Sequence, residues 1–273
     1  MSTYIQGSEI SRFNSTRNTE TPFFISDDFW NVMTVAQRLY RLTGGAWDAT
    51  VNPLVNLWGF GSAESGKSVP QKEKIDSLLR DIGFEKIEIA ENRTLKKKKA
   101  AVSLDLGSIA KGYAVDQLAS LVHGKGFENY LVEIGGEVYA SGRRKDGRPW
   151  RVGINKPLPG APADQVYKIV DLKDGAFATS GDYRNYFVKN GTRYSHILDP
   201  RTGYPVNNGV VSASVMAGTC AFADGLATAL MVMGPEKGIS LVDGIDSVEC
   251  LIVFQKPDGA LLDYASKGLR ASE

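Results

Sequence analysis

The chain has 273 residues, is 42% hydrophobic and 23% charged, and carries a formal net charge of +1. That is material for a substantial core, in one two-lobed domain or two domains, without the basic excess of a nucleic-acid binder. The chain contains no run of about eighteen apolar residues, the length a helix needs to cross a membrane.

Ser26-Asp27-Asp28 predicts a helix start, with Ser26 or Asp27 as cap and the helix running from about Phe29 to Leu42 and stopping at Gly44-Gly45. Val32, Val35, Ala36, Leu39 and Tyr40 fall on its inner face. The next stretch, Ala46 to Gly61, crowds Trp, Asp, Asn and Gly without a clean period. It reads equally as a ligand wall and as an aromatic packing knot. A short helix follows over Gln71–Asp81. Ile87–Ala90 and Ala101–Leu106 read as two strands joined by a turn carrying Lys96 to Lys99, a solvated hairpin tip.

Leu104 to Asp116 passes from strand to helix through Gly107-Ser108, and the helix continues to about His123. Backbone N–H groups at such a turn can cradle a phosphate, although the Walker pattern is absent. Tyr130 to Gly142 reads as a strand broken by Gly135-Gly136, which suggests a bulge or the close approach of something flat. Arg193 to Pro205 is the densest polar loop, stiffened by Pro200 and Pro205, with His196, Asp199 and Arg201 within six residues. Only His123 and His196 are present, which excludes a histidine-rich metal centre. Cys220 and Cys250 form no CxxC pair, so neither a zinc site nor a disulfide framework is indicated.

Val210–Ala217 is a predicted strand leading into a helix over Cys220–Gly234. Asp224 and Thr228, four apart, share a helix face with the apolar Ala227 and Met231. One reading is structural: Asp224 caps its own first turn and Thr228 bonds back to the carbonyl four residues earlier. The other is a hard-cation site of carboxylate and hydroxyl oxygens. A second helix reaches Val242, and a hairpin over Glu249–Gln255 and Ala260–Tyr264 ends the chain. Strands and helices alternate irregularly. The expected class is α+β, with mixed and antiparallel sheets and packed helices, not a doubly wound parallel sheet.

Eight segments, in order, resemble the ApbE flavin transferases. They are Met1-Ser-Thr-Tyr4, Gly45-Ala-Trp-Asp-Ala-Thr-Val-Asn-Pro-Leu54, Leu57-Trp-Gly-Phe-Gly61, Asp105-Leu-Gly-Ser-Ile-Ala-Lys-Gly-Tyr-Ala-Val-Asp116, Glu133-Ile-Gly-Gly-Glu137, Thr179-Ser-Gly-Asp-Tyr183, Ser195-His-Ile-Leu-Asp-Pro-Arg-Thr-Gly203 and Ala223-Asp-Gly-Leu-Ala-Thr228. The resemblance implies a two-lobed single domain over residues 1–273. It implies an enzyme that splits FAD, attaches FMN to a Ser or Thr hydroxyl of an acceptor protein and releases AMP. It also implies a magnesium ion held by Asp224, Thr228 and the Ala110 carbonyl. Lys111 and Asp116 would contact FAD, Met1 and Tyr4 would hold the flavin nucleotide, and Gly135, Gly136 and Glu137 would line the same cavity. His196 matches the family's catalytic histidine. Trp47, Trp58 and Phe60 are candidates to lie near the isoalloxazine.

The acceptor implied is a flavoprotein subunit of a redox or ion-pumping complex. The implied compartment is the bacterial periplasm, with lipid attachment through a segment absent from this chain; the cytoplasm stays open. The family also leads one to expect a strand and a helix before Met1-Ser-Thr-Tyr4. Two alternatives accompany the reading, an FAD pyrophosphatase and a non-catalytic FAD-binding protein.

Overall fold

The computed structural model describes residues 1–62, 66–90, 92–162 and 165–272. In chain order the elements are α1 (Glu9–Ser15), β1 (Phe23–Phe24), α2 (Asp27–Thr43), α3 (Asn52–Leu57), α4 (Lys72–Leu79), β2 (Ile87–Ala90) and β3 (Thr94–Lys97). Then come α5 (Ala110–Gly124), β4 (Tyr130–Ile134), β5 (Glu137–Ser141), β6 (Trp150–Asn155), β7 (Val166–Leu172), β8 (Gly175–Gly181), β9 (Tyr186–Lys189) and β10 (Thr192–Ser195). The chain closes with β11 (Val210–Ala217), α6 (Cys220–Met233), α7 (Pro235–Val242), β12 (Glu249–Gln255), β13 (Leu261–Ala265) and β14 (Ala271–Ser272). The chain forms two compact units: Met1–Ala110 with Tyr186–Val206, and Lys111–Asn185 with Asn207–Glu273.

The first unit holds α1 to α4, a three-stranded sheet in the order β1-β3-β2 and the β9–β10 hairpin. Of the two candidate caps, Ser26 is the one used: its Oγ accepts from Phe29 N at 3.3 Å. Gly44 ends α2 in the left-handed region at φ +58°, which a residue without Cβ adopts at low cost. Trp58 is fully buried and packs with Leu54, Ile75, Ile82 and Leu198. Tyr194, Tyr204 and Phe187 surround its ring, and its Nε1 donates to the Gly203 carbonyl at 2.9 Å. This part of the Ala46–Gly61 stretch is therefore an aromatic knot.

The lysine run differs from expectation. The second strand is Thr94–Lys97, not Ala101–Leu106, and it pairs with β2 in antiparallel register, Ile87 opposite Lys97. Lys97 is 1% exposed. Alternation along β3 turns its stem inward beside Leu95, and its ammonium donates to the Thr16 carbonyl at 2.9 Å. A charged residue type misled the reading because a lysine can bury its stem when its head finds acceptors.

The second unit is built on a six-stranded sheet in the order β13-β12-β11-β8-β5-β4, every pair antiparallel. A three-stranded sheet, β14-β7-β6, packs on it. Between them lie Val138, Ile154, Val170, Leu172, Phe177, Val211, Leu251 and Val253. Helix α6 packs on β8 and β11 and is buried on nearly every face, so its sequence is apolar almost all round. Its polar residues thus stand out. The α+β class of packed helices and antiparallel sheets is the one observed.

Gly135-Gly136 is neither a bulge nor a break within one strand. The two residues form the two-residue turn of the β4–β5 hairpin, with Ile134 opposite Glu137. Their φ values are +64° and +103°. A turn with positive φ at both central positions matches the twist of the strands, and glycine adopts it without a Cβ clash. Glu133 and Glu137 consequently have different fates: Glu133 is exposed and Glu137 is buried.

Candidate active site

The polar cluster of the second unit is assembled where α5 meets α6. Gly112 makes the approach possible: a Cβ there would lie 2.3 Å from the Cys220 carbonyl oxygen. The first amides of α5 have no acceptor within their own helix. One of them, Gly112 N, donates to Asp224 Oδ2 at 3.0 Å. The exchange is reciprocal. Asp116 of α5 accepts from Cys220 N at 2.7 Å and from Ala221 N at 2.9 Å, capping the first turn of α6. The α6 cap residue, Thr219, supplies no side-chain bond. Each helix thus sends a carboxylate to the other's start.

The two carboxylates are not equally served. Asp116 is half-buried and has both oxygens bonded to N–H groups. Asp224 is 4% exposed and has one such bond. Burial pushes the Asp224 carboxyl up to about 7; the negative charge of Glu137 adds to the rise, while Lys111 and the Gly112 N–H oppose it. Burial also raises Asp116, against which its two N–H bonds act.

Glu137 is 2% exposed. Lys111 Nζ lies 2.5 Å from its Oε1. Its Oε2 is buried with no hydrogen-bond partner. The Gly135 turn borders this corner: a Cβ there would stand 3.6 Å from both Glu137 Oε2 and Lys111 Cδ, an ordinary contact distance. Asp224 and Glu137 against the one ammonium of Lys111 leave these three groups one positive charge short of neutral when all are ionised. Thr228, one turn after Asp224, has its Oγ1 2.9 Å from Ser180 Oγ of β8 and 3.4 Å from the Asp224 carbonyl.

This arrangement fits a hard divalent cation. A buried carboxylate with unused acceptor capacity, a hydroxyl beside it and an unpartnered buried oxygen are the donors such an ion takes. Among the described residues no group of three or more His, Cys, Asp or Glu side chains forms a metal cage. A cation here would therefore complete its shell with carbonyl, water and ligand oxygens.

In the first unit, the loop after β10 is a tight hairpin. Leu198 bridges Pro205, and the Asp199 carbonyl accepts from Gly203 N at 2.8 Å. Asp199 grips Arg201 through Nε and Nη2, both at 2.8 Å. His196 is half-buried, with its ring edge-on to Phe60 at 6.4 Å between centroids.

The ApbE family model matches residues 1–252. This chain belongs to the ApbE family. The FAD:protein FMN transferase of Vibrio cholerae is 46% identical over 272 residues, covering 99% of this chain and 79% of that protein. The FAD:protein FMN transferase of Haemophilus influenzae is 41% identical and covers 93% and 74%. Among solved structures, the flavin transferase ApbE from Vibrio cholerae superimposes with a TM-score of 0.87 at 44% identity, covering 98% of this chain and 83% of that one. The apo form of the Pseudomonas stutzeri flavinyl transferase ApbE gives 0.86 at 38% identity, covering 98% and 81%.

Against this ApbE chain the expected site residues sort as follows. Lys111, Asp116, Gly135, Gly136, Glu137, Asp224 and Thr228 all lie in the second unit, and contacts within that unit join Lys111 to Glu137 and α5 to Asp224. Ala110 opens α5 as the last residue of the first unit. Met1, Tyr4 and His196 belong to the first unit. Tyr4 is 73% exposed, and its N–H donates to Ser2 Oγ at 3.2 Å. Asp224 is not a cap of its own helix. The back-bond of Thr228 exists but is long, and the shorter contact is to Ser180.

Trp58 is too buried to stack on a flavin. Trp47, 3% exposed, spends its indole N–H on Ser108 Oγ at 2.9 Å. Sequence reasoning missed Ser180 as the partner of Thr228. The Thr179-Ser-Gly-Asp-Tyr183 motif was its one signal, and nothing in the pattern ties that strand end to α6.

Proposed function

We propose that this chain is an FAD:protein FMN transferase. It takes FAD, joins the FMN phosphorus to a Ser or Thr hydroxyl of an acceptor flavoprotein, and releases AMP. The observation that carries the reading is the end-to-end similarity to transferases of that name. The second unit supports it with the chemistry described above: buried oxygen donors beside a lysine, with acceptor capacity left over.

Asp224, Thr228 and the Ala110 carbonyl would hold a magnesium ion, with FAD phosphate oxygens filling its shell. When bound, the ion offsets the charge of the diphosphate and draws electron density from the reacting phosphorus. Lys111 supplies positive charge to the phosphates while Glu137 fixes its ammonium. His196 accepts the proton of the acceptor hydroxyl as the oxygen–phosphorus bond forms; the bond from that phosphorus to the bridging oxygen breaks, and AMP departs with the electron pair. The compartment the resemblance implies is the bacterial periplasm.

The test is incubation with FAD, magnesium and a domain carrying an acceptor Thr. The expected result is a mass gain of one FMN on the acceptor and one AMP per acceptor modified. AMP with free FMN and an unmodified acceptor would make the protein a pyrophosphatase. FAD retained without any AMP would make it a binding protein.

A further inference from the structure

Helix α1 is tied at both ends to segments that carry the family's flavin motifs, and neither tie has a role in the reading above. At its start, Ser8 Oγ donates to the Ser2 carbonyl at 2.7 Å, which hooks the Met1–Tyr4 segment onto the first turn. At its end, the Asn14 side chain acts as a strand would. Its Nδ2 donates to the Leu104 carbonyl at 2.8 Å, and its Oδ1 accepts from Leu104 N at 2.7 Å. Leu104 is fully buried and leads directly into Asp105–Ala110.

Lys97 locks that end. Its ammonium donates to the carbonyls of Asn14 at 3.3 Å and Thr16 at 2.9 Å and lies 4.8 Å from the centre of the Phe13 ring. The last carbonyls of a helix lack intrahelical partners and carry the negative end of its dipole, so a buried cation is well placed there. A cation 1% exposed, with no carboxylate partner among the described residues, costs several kcal/mol unless its acceptors repay it. A surface-plugging role needs no charge. An ammonium seated on two carbonyls and a ring fixes the direction of the chain that supplies them.

We propose that Lys97 and Asn14 are positioning residues for nucleotide binding. Together they make α1 a strut that sets the Met1–Tyr4 segment and the Leu104–Ala110 segment at a fixed separation. The proposal rests on the flavin reading given above.

The experiment compares the wild type with Lys97→Met, Asn14→Ala and the core control Ile75→Val. Asn14→Ala leaves the carbonyl that Lys97 uses, so it opens the clasp by a second route that keeps the buried ammonium and its acceptors, and circular dichroism checks that each variant is folded. For either clasp variant the FAD KM is expected to rise about tenfold with kcat at saturation within about twofold. Amide exchange at Leu104 and Thr16 is expected to quicken by about tenfold or more in the same variants. The Ile75→Val control should move neither quantity. Wild-type KM and exchange in both clasp variants would overturn the proposal. An equal rise of KM in the control would also overturn it, by reducing the clasp to general stability. A wild type that neither binds FAD nor transfers FMN would sink the flavin reading and the nucleotide role with it. Unchanged exchange would sink the strut by itself.

Discussion

Two stretches of this chain are dense in polar residues, and they use them in opposite ways. In the Asp199–Tyr204 turn the polar groups satisfy one another. Asp199 takes Arg201 through its backbone N–H, Nε and Nη2, and its own carbonyl serves Gly203. In the α5–α6 crossing the accounts are left open: Asp224 has one N–H, and Glu137 Oε2 has none. Polar density alone therefore says little about chemistry. Unused acceptor capacity in a buried place says more, because the fold tolerates that cost only where something else supplies the partner.

The comparison breaks most decisively at Asp224. Asp224→Ala should remove magnesium-dependent turnover by roughly 10³-fold or more, several kcal/mol of lost charge stabilisation, while circular dichroism stays native. Turnover retained at low magnesium would return Asp224 to a structural role.

The loop is tested next. His196→Ala should slow FMN transfer by roughly 10²–10⁴-fold, the worth of a general base, with FAD and metal affinity unchanged. His123→Ala should be silent. A loss of FAD binding in step with the rate would make His196 a binding residue.

The third test reads the open account as stability. Without metal, Asp224 has a folded pKa near 7, above its unfolded value. The folded state then holds a proton that the unfolded state has released. Its contribution to stability is full below the unfolded value and is lost as pH rises through about 7. The loss is on the order of a few kcal/mol. Asp116, Asp105 and Asp48, also raised chiefly by burial, push the same way. The metal-free wild type should therefore lose thermal stability from pH 4 to 8. Asp224→Asn should flatten part of that slope and exceed the wild type at pH 8. Parallel slopes would show that the carboxyl is not protonated in the fold.

A smaller effect is linkage. FAD and magnesium should each tighten the other's binding by about 5–150-fold, equally in both directions. Calorimetry with and without the partner measures it, and equal affinities would separate the cation from the diphosphate.

The smallest effect belongs to Asp116, the satisfied carboxylate of the same crossing. Asp116→Ala should cost about 1 kcal/mol of stability as a lost helix cap, and Asp116→Asn should recover most of it, since asparagine caps as well. An Asn variant as unstable as the Ala variant would mean that charge, not hydrogen bonding, matters at that helix start.

The sequence by itself determined the class of the fold and the helix over Cys220–Met233, because hydrophobic period is local. It also determined the family, because ordered motifs need no coordinates. The ends of α2, at Ser26 or Asp27 and at Gly44, were legible because capping chemistry is local. Tertiary structure decided the rest. It decided which of Glu133 and Glu137 is buried, since a two-residue turn, not a bulge, sets the register. It decided that Trp58 is core, and that the lysine run contributes a buried clasp instead of a solvated tip. It decided, too, that Asp224 answers an amide of a helix more than a hundred residues earlier. Those outcomes depend on which backbone groups lie unpaired across the fold, and no local pattern carries that information.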